Sequence, residues 1–234
     1  MAANTVKVFR TLLILVLVLC IPVFLLSSNL RWAVNSVRLY QTGFDRFAVS
    51  ETTGLSDSDL LVVAREMVHY FNSGEEPIRV TIRDPGGDEL FSEREIVHLR
   101  DVKAVIRLCY CVQIGALACI AAAVAIGFAG WKRRFLPALF RGALGGGVLT
   151  VAMLVLLGLG ALVSFDWLFV GFHHLFFAAD TWIFDPASDY LIMMFPLAFF
   201  FNVALAVVFA SIAEALILAG FGWFLLRRRK KASG

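Results

Sequence analysis

The chain has 234 residues, 60% of them hydrophobic and 17% charged, with a formal net charge of +3 at pH 7 and a mean hydropathy of +0.81. That composition excludes an ordinary soluble domain. Runs of roughly 18 or more apolar residues are read as membrane-spanning helices, and four occur, near Val8–Leu30, Ala104–Gly130, Ala143–Ser164 and Pro196–Leu226.

Charge gives the spans a direction. Lys7 and Arg10 precede the first span, Lys132, Arg133, Arg134 and Arg141 lie between the second and third, and Arg227–Lys231 follow the fourth. Those segments hold no acid, and every Asp and Glu except Glu214 falls between spans one and two or three and four. The positive-inside rule then places both termini in the cytoplasm. The expected fold is an all-α, multi-pass integral membrane protein of four transmembrane helices, with a small extracytoplasmic α+β lobe and an interfacial aromatic loop. Its boundaries are 1–30 for the cytoplasmic end and first span, 31–103 for the lobe, 104–130 for the second span and 131–142 for a basic cytoplasmic loop. The third span follows over 143–164, the extracytoplasmic interfacial loop over 165–195, the fourth span over 196–226 and a basic cytoplasmic tail over 227–234.

The first span closes without a small-residue A-x-A pattern, and Leu19 is too large to precede a lipoprotein-type Cys20, so a retained anchor is expected. Cys20, Cys109, Cys111 and Cys119 fall inside spans, without zinc spacing, and read as small apolar residues. Asn29–Thr53 is weakly patterned and predicts no element. Ser56-Asp57-Ser58-Asp59 then carries helix-start chemistry. Leu60, Val63, Ala64, Met67, Val68 and Phe71 form an apolar stripe at helical spacing, ended by Ser73-Gly74. Pro77–Arg83 alternates like a strand, Asp84–Gly87 supplies a turn, and Asp88–Phe91 returns as a second strand.

Ser92 and Glu95 have capping-box spacing, and Phe91 with Ile96 fits a hydrophobic staple. The helix they open is expected to run unbroken into span two. His98 then stands about two turns in, close above the outer membrane face, with Asp101 one turn on and Arg94 and Arg107 near the same side. Gly142, Gly145, Gly146 and Gly147 open span three and predict close helix packing. No strand precedes them and no Lys-Ser/Thr follows, which excludes a phosphate cradle.

Phe165–Asp189 holds eight Phe or Trp rings, four carboxylates and the adjacent His173 and His174. Rings with polar neighbours belong at a bilayer–water boundary. The apolar run from Leu191 to Leu226 exceeds one span, so Pro196 is expected at the first helical position of span four. Glu214 falls within that span. No partner at its depth is evident from sequence, and a protonated carboxyl joining two helices is the reading that keeps it outside the site.

His98 and the His173/His174 pair share a side and a depth, and imidazoles titrating near neutrality can divide acid and base duties. Two other readings stand beside this one. His98, Asp101, His173 and His174 are a credible ligand set for a metal-dependent membrane hydrolase, although no compact H-E-x-x-H is present. A non-catalytic membrane partner protein would use the lobe and loop only to bind.

Ser92-x-x-Glu95-x-x-His98-x-x-Asp101-Val102-Lys103, followed by Phe172-His173-x-x-Phe176-Phe177, Trp182, Asp189, Leu191-Ile192 and Pro196-x-x-Phe199-Phe200, resembles the lipoprotein intramolecular transacylases. The resemblance spans most of the chain. It implies a bacterial cytoplasmic-membrane enzyme with an extracytoplasmic site and two catalytic histidines, one per motif, here His98 and His173. His174 occupies a variable motif position and receives no role. The implied reaction moves an acyl chain from the diacylglyceryl group of a lipoprotein onto the free α-amine of its N-terminal cysteine, giving an N-acyl, S-monoacyl lyso-form. Implied partners are a diacylated lipoprotein and membrane lipid, with no cofactor, no metal and no nucleic acid.

Overall fold

A computed structural model describes residues 2–80, 89–178 and 181–232, and over them the fold is helical, with no strand. The helices are α1 (Ala2–Asn35), α2 (Val37–Arg46), α3 (Val49–Thr53), α4 (Asp57–Asn72), α5 (Glu93–Trp131), α6 (Leu136–Phe176), α7 (Tyr190–Met194) and α8 (Leu197–Ala232), with a 3₁₀ turn at Lys132–Phe135. Val6–Asn35, Glu93–Phe176 and Leu197–Lys231 are long and apolar enough to cross a membrane. The middle stretch is interrupted at Lys132, whose φ of 49° is left-handed, and again at Ser164, whose backbone is extended.

Several expectations shift. The expected hairpin falls largely on residues 81–88, which lie outside the described residues. Beside them, Leu90 N–H donates to the Val80 carbonyl at 3.1 Å. Residues 37–53, expected to be featureless, form α2 and α3. Ser36 caps α2 by accepting from Leu39 N–H, and Tyr40 and Phe44, one turn apart, are buried. Phe165–Phe176, expected as loop, continues α6 as helix beyond the break at Ser164. Pro196 stands just before α8 rather than at its first position, and its carbonyl accepts from Phe199 N–H at 2.8 Å.

The chain divides into two compact units. One comprises Met1–Leu30, Tyr110–Leu159 and Ala206–Gly234. Its core is Leu13, Leu17, Ile21, Ala123, Phe135 and Ala138. Gly146 and Gly147 allow close approach there: a Cβ at Gly146 would lie 2.8 Å from Ile21, and one at Gly147 would lie 2.5 Å from the Ala215 carbonyl oxygen. The partner of Glu214 that sequence does not make evident is found in this unit, and the carboxyl does join two helices. Asn29 Nδ2 donates to Glu214 Oε2 at 2.8 Å, and also contacts Ser211 Oγ at 3.1 Å, linking α1 to α8. A residue on α1 matches the depth of one on α8 only once the helices are packed.

The other unit comprises Arg31–Cys109 and Gly160–Leu205. Its core gathers Tyr40 and Phe44 of α2, the stripe of α4, Leu99 of α5, Leu191 and Met194 of α7, and Phe195 and Phe199. In α4 the buried stripe is Leu60, Val63, Ala64, Met67, Tyr70 and Phe71, with Val68 only partly covered. Gly43 admits the Phe199 ring where any Cβ would collide with it.

Candidate active site

The site is built on the N-terminal turns of α5, which three residues fix. Ser92 N–H and Oγ donate to Glu95 Oε2 at 2.8 and 2.9 Å, the expected capping box. Glu95 Oε1 accepts from Leu191 N–H at 2.6 Å, so one carboxylate, 1% exposed, ties the start of α5 to the start of α7. Arg94 donates to Asp189 Oδ2 at 2.8 Å, and that oxygen also accepts from Asp185 N–H at 2.7 Å. One turn beyond Glu95, on a helix held at its first turn, stands His98.

His173 comes from the last turn of α6. The two imidazoles lie nearly parallel, 15° apart in plane, with centroids 6.1 Å apart, and are 6% and 8% exposed. Phe177 touches both rings, at 4.8 Å from His98 and 5.2 Å from His173. Phe184 closes on His98 at 5.4 Å, while Phe169 and Trp182 close on His173 at 4.1 and 4.8 Å. An open depression of about 550 Å³ is lined by Ser92, Glu93, Arg94, Val97, Thr181 and Asp189. Val97 precedes His98 in the chain and Thr181 precedes Trp182.

The two imidazoles are tied down differently. His173 Nδ1 lies 2.7 Å from the Phe169 carbonyl oxygen. A carbonyl only accepts, so Nδ1 carries the proton and Nε2 presents a lone pair. Among the described residues, His98 Nδ1 is buried without a hydrogen-bond partner, as is Trp182 Nε1. Both histidines precede or follow the spans read at 104–130 and 143–164. Burial, helped by the neighbouring His173, pushes His98 down to about 4. Burial also pushes His173 down, assisted by His174 and opposed by the bond to Phe169. In both rings burial favours the neutral form, which has a lone pair to offer.

Of the residues expected at the site, His98 and His173 meet. His174 does not join them: it is exposed and sets its ring edge-on to Trp182 at 5.4 Å. Among the described residues no three His, Cys, Asp or Glu side chains converge as a metal set, so Asp101 and His174 do not complete a ligand shell with the pair. Arg107 is spent on the Ser73 carbonyl at 2.6 Å. Sequence reasoning missed the second bond of Glu95 and the burial of Lys103. Lys103 is 1% exposed, donates to the Glu75 carbonyl at 2.5 Å, and lies 3.8 Å over the Tyr70 ring. Spacing revealed the Glu95 cap but carried no signal of a partner 96 residues away.

No curated protein matches the chain. Three solved structures of the membrane integral lipoprotein intramolecular transacylase Lit from Bacillus cereus resemble it in fold. The first has a TM-score of 0.80 at 20% identity, covering 95% of this chain and 98% of that one. The other two, in which a histidine is replaced by arginine or alanine, each have a TM-score of 0.79 at 19% identity. They cover 99% of this chain and 98% and 100% of theirs. The family model described as lipoprotein intramolecular transacylase Lit matches residues 15–200. That match takes in α2 to α7 and both histidine-bearing segments, and by it the chain belongs to the lipoprotein intramolecular transacylase family, membrane-integral acyltransferases that act on lipoproteins.

Proposed function

We propose that this chain moves an acyl group from the diacylglyceryl ester of a bacterial lipoprotein to the free α-amine of the same molecule's N-terminal cysteine, with His98 and His173 as the proton-handling pair. The observation that carries the reading is two buried imidazoles about 6 Å apart in an aromatic box, whose chain neighbours Val97 and Thr181 line an open depression. Ester to amide is downhill, so no energy source is required. Both reacting groups belong to one substrate, and holding them in register replaces a bimolecular encounter by a high effective molarity.

The amine nitrogen attacks the ester carbonyl carbon. Its proton, strongly acidic once the tetrahedral adduct forms, passes to the lone pair of His173 Nε2, whose tautomer Phe169 fixes. As the C–O bond to glycerol breaks, the alkoxide takes a proton back from the imidazole pair, with His98 beside the leaving oxygen. One proton leaves nitrogen and one reaches oxygen, so the pair begins and ends neutral.

The charge pattern supports four spans, over 1–30, 104–130, 143–164 and 196–226, in the bacterial cytoplasmic membrane. Both termini then lie in the cytoplasm, and residues 31–103 and 165–195 carry the site outside. Expression in a host whose lipoproteins keep a free amine, followed by tandem mass spectrometry of the N-terminal lipopeptide, tests the activity. Fragments should show N-acyl, S-monoacyl product; total mass is no guide, because the rearrangement conserves it. Well-folded protein that yields only the diacyl isomer ends the proposal. His98→Ala and His173→Ala should each lower turnover by about 10²-fold or more, and full activity in both ends the dyad.

A further inference from the structure

The box holds a polar group that proton transfer does not use. The Trp182 indole N–H is buried and has no partner among the described residues, although its ring packs 4.8 Å from His173 and 5.4 Å from His174. Indole nitrogen is a donor only. A buried donor left unpaired costs the folded state free energy and calls for an explanation. Its location narrows the explanation: the neighbouring Thr181 lines the open depression, and the second buried orphan, His98 Nδ1, belongs to the same box. An acyl-transfer site needs both kinds of group. Imidazole moves the proton, while a fixed N–H is required where negative charge develops on the carbonyl oxygen. His98 and His173 account for the first requirement and leave the second unmet.

We propose that Trp182 Nε1–H donates to the carbonyl oxygen of the ester being cleaved and holds the oxyanion of the tetrahedral adduct. The inference rests on the lipoprotein reading and adds the oxyanion donor to it. As the amine nitrogen bonds to the carbonyl carbon, the C=O electron pair moves onto oxygen and is met by the indole proton. When the C–O bond to glycerol breaks, the carbonyl re-forms as an amide and the hydrogen bond slackens. The donor itself gives up no proton. A side chain with a planar aromatic body and one N–H suits a dry box, because it brings a dipole without a charge.

The test uses the full chain in detergent micelles with ¹⁵N-labelled indoles, the Trp182 resonance being assigned by its loss in Trp182→Phe. One probe is a synthetic diacylglyceryl lipopeptide with its amine acetylated, which binds but cannot react. The other is the same lipopeptide with ether in place of ester. The expected result is a downfield shift of the Trp182 N–H with the ester probe and none with the ether probe. Equal shifts with both, or saturating binding of the ester without a shift at Trp182, overturns the donor role and leaves the lipoprotein reading standing. Absence of binding by either probe overturns both. In turnover, Trp182→Phe should lower kcat about 10²-fold with KM and the pH profile unchanged; undiminished kcat also overturns the donor.

Discussion

Glu95→Ala is the substitution whose cost can be worked most directly from the structure. The carboxylate accepts from Ser92 N–H and Oγ through one oxygen and from Leu191 N–H through the other, at 1% exposure. Removing it deletes a helix cap, worth about 1 kcal/mol, and leaves the Leu191 N–H buried and unpaired, which costs about 1–3 kcal/mol. The sum, about 2–4 kcal/mol, corresponds to a lower melting temperature by roughly 4–16 °C for a chain of this length. Ser92→Ala loses only its part of the cap, about 1 kcal/mol. Glu95→Gln falls between them, because its amide retains one acceptor and turns an NH₂ toward a donor. Thermal unfolding in detergent, followed by tryptophan fluorescence, measures the series. Turnover should fall in the same order, since His98 stands one turn beyond Glu95. A Glu95→Ala protein melting within about 1 °C of the parent, or one no worse than Ser92→Ala, would refute the two-sided tie.

Three further outcomes are expected. His98 is pushed down to about 4, so as pH falls the unfolded chain binds a proton before the folded one; stability is complete above about 6.5 and is lost between there and about 4, by up to about 3 kcal/mol. His173 acts in the same direction. Melting temperatures at pH 7.5 and 5 should fall further apart in the parent than in His98→Gln, and equal slopes contradict this; the acid limb of turnover should likewise lie well below pH 6.5. Gly43→Ala sets a methyl against the Phe199 ring and should cost about 1–3 kcal/mol, with Phe199→Leu in the same chain recovering stability; an additive double variant refutes the contact. Metal chelators should leave turnover intact, whereas a loss restored by zinc would install the hydrolase reading.

What sequence made legible was whatever depends on neighbours within a turn or two. The Ser92–Glu95 cap, the stripe of α4 and the apolar stretches are local patterns, and the structure forms each of them. Tyr40 and Phe44 are also one turn apart, but a ten-residue helix offers a single such pair, too little for periodicity to register. Phe165–Phe176 reads as loop because its rings and histidines suit an interface, and that chemistry is equally compatible with helix. His173 stands out in sequence through its aromatic surroundings, and His98 through the capped helix that carries it. The unpaired Trp182 N–H does not, because whether a donor is satisfied is a property of folded space. The same holds for Asn29, whose side-chain partners Ser211 and Glu214 lie more than 180 residues away.

The burial of Lys103 bears on a hazard peculiar to an enzyme that acylates amines. The chain has five lysines, and Lys103 stands five residues beyond His98. Its ammonium is lodged over the Tyr70 ring, bonded to the Glu75 carbonyl, and 3.5 Å from Glu76. Tyr70 in turn donates its hydroxyl to Glu76, and burial pushes that phenol well above its ordinary range. A clamped ammonium of this kind has no free lone pair to attack an ester. The lysine that stands closest to His98 in the chain is thereby withheld as an acceptor for the acyl group.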